Sequence, residues 1–231
     1  MANISTPVSN RFYLFNVFER VKPENVETFK EKWDIAAQYA KCLDGFEASY
    51  LHLSIDPDAK FPWINFAITN VADICIFGKP DPDWRKITRE GVGPYAKGYP
   101  AGFREIASYK GNVITDQKKD PKTGALYFIT VMKVSDNISD DDFETNWKKW
   151  SGADLLHEKL GNKAMDSHLY KRFTSNMAPV FRYAVRTEVD NVSNDVCNVI
   201  SKAINERVGV PDGIETTTAC YDVAIAINKP L

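Results

Sequence analysis

The chain is 231 residues long, 44% hydrophobic and 12% aromatic, which is enough apolar material for one large core or two smaller ones. Its net charge of −2 excludes a general electrostatic pull toward nucleic acid or anionic lipid. The longest apolar runs, such as "DICIFG", are far too short to span a bilayer, and "MANISTPVSN" lacks the basic start and apolar core of a secretory leader, so the expected setting is cytoplasmic.

In chain order, 11–20 reads as a strand rich in aromatic and β-branched residues. "KPEN" turns into a helix over about 24–43, with Phe29, Trp33, Ala36, Ala37 and Ala40 as its buried stripe, ended by Asp-Gly at 44–45. Strands follow at 46–55 and 61–71, joined by the hairpin loop "DPDAK". A second helical stretch near 83–90 and a strand from about 103 complete a β-α-β-β-α-β order. The charged, Pro- and Gly-containing stretch "DQKKDPKTG" (116–124) reads as a solvated linker. Beyond it the same order is predicted at 125–134, 139–160, 165–174, 178–188, 192–207 and 214–227.

The two halves share more than element order. "FKEKW" at 29–33 and "FETNW" at 143–147 carry the same aromatic spacing, and in that register Tyr13 meets Tyr127 and Val17 meets Val131. Further on, "FPWINFAI" (61–68) aligns with "APVFRYAV" (178–185) at a slightly larger offset, which places Asn65 against Arg182. An internal duplication is therefore expected, with domains at 11–115 and 125–231. The predicted fold class is α+β: two ferredoxin-like repeats whose bare sheet faces pack against each other.

Chemistry-bearing clusters are sparse. Cys42, Cys75, Cys197 and Cys220 show no CxxC spacing and are expected as buried thiols in a reducing compartment. His52, His157 and His168 form no ligand cluster, and no Gly-rich phosphate loop is present, so neither metal nor cofactor is expected.

At "GFEASYLHLSIDPDAKFPWINFA" (45–67) the sequence resembles the antibiotic biosynthesis monooxygenase (ABM) family. The likeness rests on the preceding FxxxW helix, the helix-ending Gly-Phe, "LHLS" and the "DPDAKF" hairpin leading into "NFA". It is close over 11–70, weak over 71–112, and in the second half rests on element order and FxxxW. The resemblance implies a dimeric α/β barrel with both protomers supplied by one chain, hence a monomer with an internal pseudo-dimer.

It also implies a pocket between sheet and helices, lined by an Asn on the third strand and a Trp four residues later. Here the Asn is Asn65, but the Trp position holds Thr69. Asn16 falls where haem-degrading relatives carry a pocket Asn; the missing Trp and the lack of His within 81–100 disfavour that chemistry. Asn65 is the candidate for holding a developing oxyanion and His52 the candidate base, since an imidazole titrates near neutral pH. Asn16, Trp33 and Thr69 are the candidate ligand-binding residues, Trp33 reading first as core and second as pocket wall.

Two functions of different class follow. One is cofactor-free oxygenation of a small aromatic or quinol-like compound. The other is a small-molecule-binding or stress-associated barrel without activity; a lactone isomerase or lyase is a third reading.

Overall fold

The computed structural model describes residues 11–21, 26–70, 81–109, 123–173 and 181–229. Among the described residues, eight strands and five α-helices follow in this order: β1 (Phe12–Arg20), α1 (Val26–Lys41), β2 (Phe46–Ser54), β3 (Trp63–Thr69), α2 (Pro82–Ile87) running into a π-helical turn (Thr88–Val92), and β4 (Ala96–Tyr109). The second half supplies β5 (Leu126–Val134), α3 (Asp140–Ser151), α4 (Ala153–Leu160), β6 (Ala164–Arg172), β7 (Tyr183–Val189), α5 (Asn194–Asn205) and β8 (Ile214–Asn228).

The expectation of two ferredoxin-like repeats packed sheet to sheet is corrected by the strand pairing. All eight strands form one closed antiparallel barrel, in the order β1-β3-β2-β8-β5-β7-β6-β4. The halves are joined edge to edge, β2 on β8 and β4 on β6. Closure satisfies the N–H and C=O groups that an open sheet leaves at each edge, and the natural twist of the strands curls them toward it.

Alternation along the strands then divides the side chains between lumen and helix layer. In β1, Tyr13, Phe15 and Val17 join the lumen cluster with Tyr50, Phe66 and Tyr127. Phe18 turns outward and packs with Phe29, Trp33 and Trp63 beneath α1. The repeated aromatic spacing has a common role in both halves. Phe29 stacks on Trp63 at 4.0 Å and 13°, and Phe143 stacks on Tyr183 at 4.0 Å and 15°. Each helix is thus pinned to the strand beneath it by one aromatic sandwich.

Register also corrects the proposed match of Asn65 with Arg182. β1 opposes Asn16 to Asn65, whereas β5 opposes Thr130 to Val185. The counterpart of Asn65 is Val185, because β7 starts at Tyr183 and so matches β3, which starts at Trp63, three residues later than the sequence alignment assumed.

Two element boundaries differ from expectation for local reasons. The single helix expected over 139–160 is broken at Gly152, whose φ of 81° no β-carbon tolerates well and whose Cβ position lies 2.6 Å from Ile204 Cγ2. The strand expected from about 103 begins at Ala96. Its Gly- and Pro-containing start pairs with β1 alone, since pairing to β6 begins at Phe103, so Pro100 needs no N–H on its open side. Cys197 and Cys220 are buried, as expected, but Cys42 is exposed at the end of α1. The tail, most of the linker and Cys75 lie outside the described residues. No described helix is long and apolar enough to cross a membrane.

Candidate functional site

The helix-facing side of β1, β3 and β2 brings Asn16, Asn65 and Thr69 onto one surface. Asn16 and Asn65 are direct neighbours across the β1–β3 ladder. Ser49 of β2 donates its hydroxyl to Asn65 Oδ1 at 2.7 Å, which orients that amide with Nδ2 left as a donor. Asn16 Oδ1 is buried and has no hydrogen-bond partner among the described residues. A side-chain amide left that way costs about 1–3 kcal/mol, so a polar group from outside the fold is favoured there.

The ground beside these amides is low. On β4 the positions opposed to Leu14, Asn16 and Phe18 are Gly102, Pro100 and Gly98. A methyl group on Gly98 would sit 2.8 Å from Asn16 Oδ1 and 3.1 Å from Phe18 Cε1. Gly98→Ala is expected to displace the Asn16 amide at a cost of about 1 kcal/mol, as overpacking does when a flexible side-chain end can yield. Urea unfolding measures it; an unchanged midpoint would mean that the amide is not held against β4. Ser49 and Gly98 were not among the residues singled out from sequence. Small residues at alternate positions 98, 100 and 102 are the signal that would have found the floor.

Around this surface, Trp33 belongs to the apolar cluster beneath α1 and is core. Thr69 is buried at the end of β3, opposed to Phe12 on one side and Phe46 on the other. Asp81 caps α2 through the Asp83 and Trp84 amides and also accepts from Tyr39 of α1 at 2.8 Å. That bond pushes the Tyr39 phenol up to about 12 and ties the two helices together.

His52 is not brought to this surface. β2 turns it into the lumen, fully buried, with its ring edge-on to Phe66 and Tyr127. Its Nδ1 lies 3.2 Å from the Tyr50 carbonyl oxygen. Burial first and the nearby Arg186 charge second depress its pKa to about 3. An imidazole this weakly basic, on the far side of the sheet, does not serve Asn65 as a base.

The corresponding surface of the second half is differently furnished. Thr130 pairs its hydroxyl with that of Thr218 at 2.8 Å, and Val185 replaces the second amide. Ser167, at the register place of Ser49, bridges His157 Nε2 at 2.9 Å and Thr187 Oγ1 at 2.6 Å. Of the three cations Lys171, Arg182 and Arg186 on or beside β6 and β7, Lys171 is neutralised by Asp140 and Glu144, and Arg182 by Asp140. Arg186 alone enters the lumen. Among the described residues no group of three or more His, Cys, Asp or Glu side chains is placed to hold a metal ion.

A protein-family model described as a domain of unknown function, DUF7153, matches residues 46–208. No curated protein matches the sequence. Among solved structures, the chain is similar to an anthrone oxidase-like protein with a TM-score of 0.67 and 10% identity, over 98% of this chain and 97% of that one. A candidate monooxygenase from Fusobacterium nucleatum subsp. nucleatum matches with a TM-score of 0.54 and 11% identity, over 95% and 94% of the two chains. A chlorite dismutase variant from Candidatus Nitrospira defluvii matches with a TM-score of 0.50 and 7% identity, over 94% and 93%. At such identities these neighbours show a shared fold alone.

Proposed function

The chain belongs to the DUF7153 family, and we propose that it binds a small aromatic hydroxy compound on the helix-facing side of β1 and β3 and oxygenates it without a cofactor. The observation that carries this reading is the buried, unpartnered Oδ1 of Asn16 beside the oriented amide of Asn65. One amide accepts from a ligand hydroxyl while the other donates to the neighbouring oxygen, and Gly98 and Gly102 place no side chain of their own on that face of β4. The resemblance to the ABM family around 45–67 and the fold shared with an anthrone oxidase-like protein support the same ligand class.

No histidine among the described residues faces these amides, so the compound must supply its own acidity. An anthrone-like substrate fits that requirement: its enol loses a proton readily, and the Asn65 Nδ2 donor stabilises the resulting oxyanion. The carbanion form then reduces dioxygen itself. Anthrone plus one O2 gives anthraquinone plus one H2O, with both electron pairs drawn from substrate and no external reductant.

The second reading, a binding protein without turnover, is favoured by the position of His52 across the sheet. Oxygen uptake separates the two. With anthrone as probe, the full chain should be thermally stabilised in a saturable way and should consume one O2 per anthraquinone formed. Stabilisation without uptake would sustain binding alone. Asn65→Ala should weaken the apparent affinity roughly tenfold, the worth of one hydrogen bond to a charged oxygen, with the fold intact. A variant that binds anthrone normally but unfolds earlier would make Asn65 a structural amide.

A further inference from the structure

The lumen holds polar atoms that the amide surface does not use. Arg186 of β7 is 7% exposed and points inward, its guanidinium 3.6 Å from the centre of the Tyr127 ring and 4.6 Å from that of Phe66. Its Nε and Nη2 have no hydrogen-bond partner among the described residues, and none of the ion pairs described includes it. The acids nearest in the barrel are otherwise engaged. Glu105 is bound to His168 at 2.8 Å, and Glu188 accepts the Tyr127 hydroxyl at 3.0 Å.

Two more buried groups converge on the same space. Tyr170 lies on the neighbouring strand, opposed to Ala184 while His168 opposes Arg186, and its hydroxyl is fully buried without a partner. His52 approaches from β2 and shares Phe66 and Tyr127 with the guanidinium. With its Nδ1–H directed at the Tyr50 carbonyl, its Nε2 is an acceptor, also buried and unpartnered.

We propose that the barrel lumen is a binding site for a small planar oxyanion, such as nitrate, bicarbonate or a short carboxylate, seated on Arg186 and Tyr170. The unpartnered pair is the side-on edge of the guanidinium. Its two N–H bonds run parallel and match two oxygens of a planar anion. Tyr170 supplies a third donor, and His52 Nε2 receives the hydroxyl proton where the anion carries one, as bicarbonate does. The charge argument is independent of the geometry. A buried guanidinium without a direct ion-pair partner costs several kcal/mol, and an anion at its open edge offsets that cost. The depressed basicity of His52 agrees, since part of it comes from the Arg186 charge, which reaches the imidazole across the lumen. This site lies across the sheet from the amide surface and stands independently of the function proposed there.

The test is equilibrium urea unfolding of the full chain in sodium nitrate or sodium formate against sodium chloride at equal ionic strength. Equilibrium measurement does not require the anion to enter the closed barrel quickly, because ligand binding to the native state alone raises the midpoint by mass action. The midpoint should rise saturably with nitrate and formate and not with chloride. Tyr170→Phe keeps the ring and deletes one donor, and should weaken the apparent affinity about tenfold. Arg186→Met should abolish the dependence where the variant folds. Equal midpoints in all three salts would mean that water meets the fork and would overturn the proposal. A saturable rise that Tyr170→Phe leaves unchanged would place the anion elsewhere and overturn it equally.

Discussion

Trp63→Ala should lower stability by about 3–5 kcal/mol, the usual cost of deleting a buried large aromatic ring. Trp63 is 2% exposed and stacks on Phe29 of α1 at 4.0 Å, with the Arg20 guanidinium 5.5 Å from its ring centre. It also belongs to the cluster that joins Phe18 of β1, Trp33 of α1 and Ile227 of β8, so its loss opens a cavity under α1. For a chain of this size that corresponds to a fall in melting temperature of roughly 6–20 °C. Val199→Ala provides the contrast. Val199 is 69% exposed on α5 and should change stability by no more than about 0.5 kcal/mol. If Trp63→Ala melted within a degree or two of wild type, α1 would not be held by its aromatic stack.

The helix side of that stack was legible in the sequence, because Phe29 and Trp33 are four apart in a helical pattern and the period fixes their common face; its strand partner, Trp63, was not. The strands around it were legible too: 46–55 was expected and Phe46–Ser54 is found. What the pattern could not convey was closure. Alternation states that β2 and β8 each have an inner and an outer face, but their pairing is between backbones, and backbone groups leave no mark on side-chain choice.

The same limit governed the site. Asn16, Asn65 and His52 were found through the resemblance to the ABM family, and the neighbourhood of the two amides follows from strand register. His52 came from the same resemblance yet sits on the opposite face. Ala48, Tyr50 and His52 share the lumen face while Ser49 faces the helices, so parity within "ASYLHLS" already separated His52 from the Ser49–Asn65 pair. Arg186 stands in the sequence as one charge among many, and that none of the ion pairs described includes it is a three-dimensional fact.

Acidification should destabilise the fold through His52 well before the carboxylates respond. In the unfolded chain this imidazole titrates near 6.5, whereas burial and the Arg186 charge depress it to about 3 in the native state. Between those values the unfolded state binds a proton that the native state refuses. Stability therefore stands in full above about pH 6.5 and falls as pH drops toward 3, by up to 1.36 kcal/mol per unit for one proton. From pH 6.5 to 4.5 the loss should be roughly 2–3 kcal/mol.

The carboxylates act in a lower window. Burial pushes Asp140 up, but hydrogen bonds from Lys171, Tyr183 and Arg182 prevail and hold it at about 2, so its contribution is lost only below its ordinary value near 4. Subtracting the pH profile of a His52→Leu variant from that of the native chain isolates the imidazole, whatever His157 and His168 contribute. The difference should grow steadily from pH 6.5 to 4.5, as read by urea midpoints at constant ionic strength. Parallel profiles over that range would mean that His52 takes up its proton in place, and that the lumen around Arg186 is wet enough to hold two positive charges.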